Sequence, residues 1–185
     1  MRPRLRRQRG FTLIELVITF ALVAVLLVLA APSFVRFQRN SELTTSANDF
    51  IGAVSAARAE AMKSQRRTIM KPISGEDWST GWVVFVDVDN DGTQSSGDVV
   101  VTQHEAMPTT VTVAVSGAAP AFADGSTKYI SFNGSGFLRL NNGSFPSASA
   151  LDITNTNETR RVIVSPAGRL RVCKPSDDGC SISSL

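Results

Sequence analysis

Residues 11–31, FTLIELVITFALVAVLLVLAA, form an apolar run of 21 residues broken by one charge, Glu15. A helix of that length crosses the hydrocarbon core of a bilayer. The segment before it, MRPRLRRQRG, holds five arginines and no acid. Basic residues beside a span stay on the cytoplasmic side, so the chain beyond Ala31 is expected across the membrane. A cleaved secretory signal is the competing reading, because the run closes on LAAPSF, which has the small residues of a cleavage site. Against it stand the length of the run and Glu15 itself. A carboxylate inside a span costs about 2.5–3.5 kcal/mol on insertion scales and points to a function with a partner to be named.

Cleavage between Gly10 and Phe11 would supply that partner. Phe11 would then carry a new α-amino group four residues before Glu15, and positions i and i+4 share a helix face. The basic leader, Gly10, the string Phe11-Thr12-Leu13-Ile14-Glu15-Leu16 and the apolar run strongly resemble the class III signal of type IV prepilins. The resemblance implies a prepilin peptidase that cuts after Gly10 and N-methylates Phe11. It also implies that Glu15 sets register as subunits pack into a helical filament. Removal of the five leader arginines leaves 14 Lys+Arg against 16 Asp+Glu, so a net charge of +3 becomes −2. The basic balance of the whole chain therefore belongs to the leader (1–10) and is no argument for nucleic-acid binding.

Pro32 follows the run and is expected to kink the helix rather than end it. Beyond it Leu43, Ala47, Phe50, Ile51, Val54, Ala57 and Ala61 recur at the helical period. The expected helix thus has a transmembrane half over 11–31 and an amphipathic half over 32–71, fading before Pro72. From Gly81 the period changes to two. Strands are expected at 81–88, 98–105, 110–115, 128–133, 136–140, 160–166 and 168–173, with loops at 116–126 and 141–158. The fold class is α+β, a long N-terminal helix packed on an antiparallel sheet over 72–185.

Helix first and sheet after is similar to the type IV pilin fold. The stretches WSTGWVVFVDVDNDG and VIVSPAGRLRVC narrow the resemblance to the group of FimT, FimU and GspH, which covers minor type IV pilins and a type II secretion pseudopilin. That implies a single-pass inner-membrane protein with a periplasmic domain, taken up into a pilus or pseudopilus beside other pilins. No small-molecule substrate or cofactor is implied.

Three further features stand out. Cys173 and Cys180 bracket KPSDDG, a surface-loop composition, and both lie on the oxidising side of the membrane, where a disulfide persists. A two-cysteine metal site is the alternative, but His104 is the sole histidine. Asp87, Asp89, Asp91 and Asp98 fall on positions 1, 3, 5 and 12 of a calcium-loop pattern with Gly92 at 6, departing from it by aspartate for glutamate at the end. The flanks are strands, so a hairpin turn competes with a calcium site. Finally, Arg160, Arg161, Arg169, Arg171 and Lys174 form an acid-free stretch. If 168–173 is a strand, Arg169 and Arg171 share a face opposite Leu170 and Val172 and can reach adjacent phosphates. The GRLR string also resembles the G-R-x-R motif linked to DNA capture in FimT-type competence pilins. No nucleophile elbow, phosphate loop or ligand cluster points to an enzyme.

Mass spectrometry of the membrane-purified protein is expected to find Phe11 as its N-terminus, methylated. An N-terminus near Pro32 would instead identify an ordinary cleaved signal.

Overall fold

The computed structural model describes residues 10–116, 122 and 127–182. The arginine-rich leader lies outside the described residues. The chain divides into two compact units, Met1–Gln38 and Arg39–Leu185, to both of which helix α1 (Leu13–Ser64) contributes.

In the first unit α1 has large apolar side chains exposed all round, among them Leu13, Ile14, Phe20, Leu22 and Leu29. Its most apolar 18-residue window has a mean hydropathy of 2.9 and none of it is buried. A helix apolar on every side suits lipid rather than water. The helix runs through Pro32 without ending there, because proline removes only one of the intrahelical bonds.

In the second unit α1 buries Leu43, Ala47, Phe50, Val54, Ala57 and Ala61, the stripe expected from the periodicity, together with Ser46 and Ala53. The helix stops at Ser64, short of the expected 71. Gln65 adopts φ 54°, a left-handed turn that ends a helix. Residues Thr68–Pro72 then form β1, so the tail of the expected helix is a buried strand. Its five residues are too few to show a period of their own.

Two antiparallel four-stranded sheets follow, where one was expected. The first has the order β3 (Val99–His104), β2 (Trp82–Val86), β1, β5 (Ile130–Phe132). The second has the order β4 (Thr112–Ser116), β6 (Ser149–Thr154), β7 (Thr159–Val164), β8 (Leu170–Cys173). Strand β6 falls inside the expected loop 141–158. Its Ser, Ala and Asp residues weaken the strand signal, yet it pairs with both β4 and β7. Conversely, the expected strand at 136–140 contributes one bridge, Leu138 to Phe132. Asn133 replaces its ladder by accepting from the N–H groups of Ser135 and Phe137.

Both sheets lay one face on the helix. Met70, Trp82, Val84 and Ile130 come from the first, and Leu151, Ile153, Val162 and Val164 from the second. Phe50 sits among them, edge-on to Trp78 and to Trp82, each ring centre 5.3 Å away. The opposite face of the first sheet gathers Ile69, Val83, Phe85 and Tyr129, and that of the second gathers Ala150, Ile163 and Cys180.

Phe50→Ala should cost about 3–5 kcal/mol in a denaturant titration, since it removes a fully buried ring from the one cluster both sheets share. Ile51→Ala, at the half-buried rim of that stripe, should cost clearly less.

Candidate functional site

Glu15 has a partner in the helix it begins. Thr12 precedes the first helical residue, and its backbone N–H and hydroxyl both donate to Glu15 Oε2, at 2.9 and 3.0 Å. The same hydroxyl accepts from the Glu15 N–H at 3.3 Å. This is a capping box, which satisfies backbone donors that a helix start leaves open. The Thr-x-x-Glu spacing is itself a sequence signal for such a box. The cap uses Oε2 alone, so Oε1 takes no part in it. Gly10 and Phe11 stand outside the helix and are exposed. A Cβ built on Gly10 meets nothing within 4 Å, so the fold makes no demand for glycine there.

Cys173 and Cys180 form a disulfide, with Cα atoms 5.8 Å apart. Asp177 shapes the loop between them: its carboxylate accepts from the Lys174 N–H and its carbonyl from the Cys180 N–H. Cys180 is thereby laid over Ala150 and Ile163 on the outer face of the second sheet.

The acidic loop joins β2 to β3. Ligand-capable oxygens of Asp87, Asp89 and Asp91 lie within 4.8 Å of one another. Asp98 is not among them. Its carboxylate accepts from the Val88 and Ser95 N–H groups, which hold it below the usual carboxylate range. Asp87 is buried, and its two oxygens accept from the Asp91 and Gly92 N–H groups. Arg67 stands 3.6 Å from Asp87 and also bonds Ser131 and Asn141. Burial raises the Asp87 carboxyl above its ordinary value despite those bonds. The loop therefore holds its one buried carboxylate with its own backbone and a guanidinium, and the calcium reading rests on its sequence pattern.

Most of the acid-free cationic stretch meets acids from elsewhere in the fold. Arg161 makes two bonds of 2.7 Å to Asp152, its cross-strand neighbour on β6. Arg160 and Lys174 share Glu158, at 2.7 and 3.3 Å. Arg169 is exposed and lies one residue before β8, in the turn from β7, and it lines one groove with Arg58 and the half-buried Arg171. Leu170 packs on the core as expected, whereas Val172 at the sheet edge is 38 % exposed. The turn itself is held from the helix. Arg58 donates to the carbonyl oxygens of Gly136 and Gly168, at 3.0 and 3.1 Å. Sequence reasoning missed this role, because Arg58 lies off the apolar stripe and reads as a solvated charge.

A family model described as the type II transport protein GspH matches residues 46–168, and a prokaryotic N-terminal methylation motif matches residues 5–31. Among solved structures the chain resembles the type IV minor pilin FimU of Pseudomonas aeruginosa. The TM-score is 0.55 at 20% identity, over 76% of this chain and 95% of that one. It also resembles the minor pseudopilin EpsH of the Vibrio cholerae type 2 secretion system, with a TM-score of 0.51 at 16% identity, over 74% and 99% of the two chains. No curated protein sequence matches it. At these identities the solved structures speak for the fold: one helix on antiparallel sheets.

Arg67→Met should lower stability at neutral pH by about 3 kcal/mol, because it leaves the buried Asp87 carboxylate without its cation. The raised Asp87 value means that the folded chain binds that proton more tightly than the unfolded one. This contribution to stability is therefore present at low pH and is lost as pH rises through the raised value. Thermal melts of the variant should accordingly recover part of the deficit as pH falls through that raised value.

Proposed function

We propose, for a chain that belongs to the family of the type II transport protein GspH, that it is a minor pilin or pseudopilin. In this reading it is a structural subunit that is cut after Gly10, methylated at Phe11 and inserted with other pilins into a filament rooted in the inner membrane. The observation that carries the reading is the start of α1. An exposed Gly10–Phe11 bond, with a glycine the fold itself does not need, stands directly before a capped helix that is apolar on all sides.

Glu15 then has two tasks that can be separated. Its Oε2 closes the cap with Thr12. Its charge is left to meet an ammonium, that of Phe11 after cleavage or that of a neighbouring subunit. In lipid such a pair is scarcely screened, so it is strong enough to select register. The large apolar face of the helix supplies packing area but repeats too evenly to fix one register by itself.

A substitution pair tests this. Glu15→Gln keeps a capping side chain, since glutamine serves at that position of a capping box, and removes only the charge. Glu15→Ala removes both. Both variants should insert in the membrane as well as the parent or better, because the desolvation cost disappears. Both should lose incorporation into filaments, measured by shearing and immunoblotting in the native host. Normal incorporation of Glu15→Gln would reduce Glu15 to a helix cap and remove the charge from the assembly mechanism.

A further inference from the structure

Strand β3 is an outer strand of the first sheet, paired on one side to β2. Among the described residues no strand pairs with its other edge. Natural edges are protected by charges, by proline or by bulges. Between Val99 and His104 this edge carries no lysine, arginine, carboxylate or proline, and two of its valines, Val99 and Val100, are 58% and 49% exposed. Its one protective device is a bulge at Val101, where the register with β2 shifts.

Beside the edge runs a groove of about 390 Å³ between β3 and α1. Gly52, Ala53, Ala56 and Val101 give it a floor of small and apolar groups, and Asp49 and His104 form its rim. A Cβ built on Gly52 meets nothing within 4 Å. An open backbone edge next to a side-chain groove is the geometry by which one chain adds a strand to another: the edge supplies main-chain bonds and the groove takes alternate side chains.

The charges say what kind of strand. Asp98 and Glu105 bracket β3 in sequence, Asp49 stands at the groove rim, and no lysine or arginine lines the groove. Two copies of β3 paired antiparallel would bring acid against acid at both ends, which disfavours self-pairing. We propose that the outer edge of β3 docks one extended segment of another polypeptide, flanked by lysine or arginine, as a fifth strand of the first sheet. This rests on the sheet edge alone and does not need the assembly reading.

The test uses the full chain, isotope-labelled in detergent micelles, and two synthetic probes. One is Lys-Val-Thr-Val-Thr-Val-Lys and the other is the same peptide with glutamate at both ends. The lysine peptide should slow amide hydrogen exchange within Val99–His104 and shift the Gly52 and Ala56 resonances. It should bind about tenfold more tightly than the glutamate peptide at low salt, a preference that salt erodes. Gly52→Leu places a side chain in open groove space, so it should weaken the lysine peptide while exchange in β1 and β2 stays as in the parent. Glu105→Lys should reduce the preference between the two peptides. Unchanged exchange in β3 at millimolar lysine peptide, perturbation centred elsewhere, or equal binding of the two peptides would overturn the proposal.

Discussion

The globular unit depends on one apolar stripe of α1 being buried from two sides. Phe50 is at its centre, touching Trp78, Trp82 and Phe122. Neither sheet is self-sufficient. Each has an apolar inner face that is buried in the one cluster built round the helix stripe. Small residues at Ala47, Ala53, Ala57 and Ala61 alternate with Leu43, Phe50 and Val54 along that stripe, and the rings of Phe50, Trp78, Trp82 and Phe122 fill the space beside them. The same helix also supplies the N-terminal segment that is long and apolar enough to cross a membrane. Between Leu16 and Ala31 it carries no charge, and after Arg39 it is apolar on the buried side.

Three arginines of α1 and its exit turn a packed helix into a fixed frame. Arg39 donates to Thr156 and its carbonyl accepts from Asn155. Arg58 holds the turns at Gly136 and Gly168. Arg67 ties the acidic loop to Ser131 and Asn141. Each meets backbone oxygens or side chains far away in sequence. Guanidinium suits the task, having several donors in a rigid fork and a charge that does not titrate away. The loops of both sheets are thereby referenced to one element.

Legibility followed range. The span, the buried stripe, the β7–β8 pair and the cysteine bridge were visible because each is set by residues within a few positions of one another. Strand β6 was not, since its Ser-Ala-Leu-Asp-Ile-Thr sequence becomes a strand through β4 and β7 on either side. The acids that meet the cationic stretch were out of view for the same reason. Its acid-free sequence is local, whereas Asp152 and Glu158 reach it through strand pairing and a turn. At the N-terminus the Thr12–Glu15 cap is fully local, and it meets the carboxylate with hydrogen bonds where the sequence reading expected a counter-charge.

The bridge from Cys173 to Cys180 closes over a sequence separation of only seven residues. A loop so short restricts the unfolded chain modestly, and of the main core cluster neither cysteine is a member. Its effect is therefore local: it holds Cys180 down on Ala150 and Ile163. Without the bridge, what holds Cys180 there would be the Asp177 turn and its apolar contacts. The bridge is thus a clamp on one outer patch of the second sheet, apart from the cluster round Phe50.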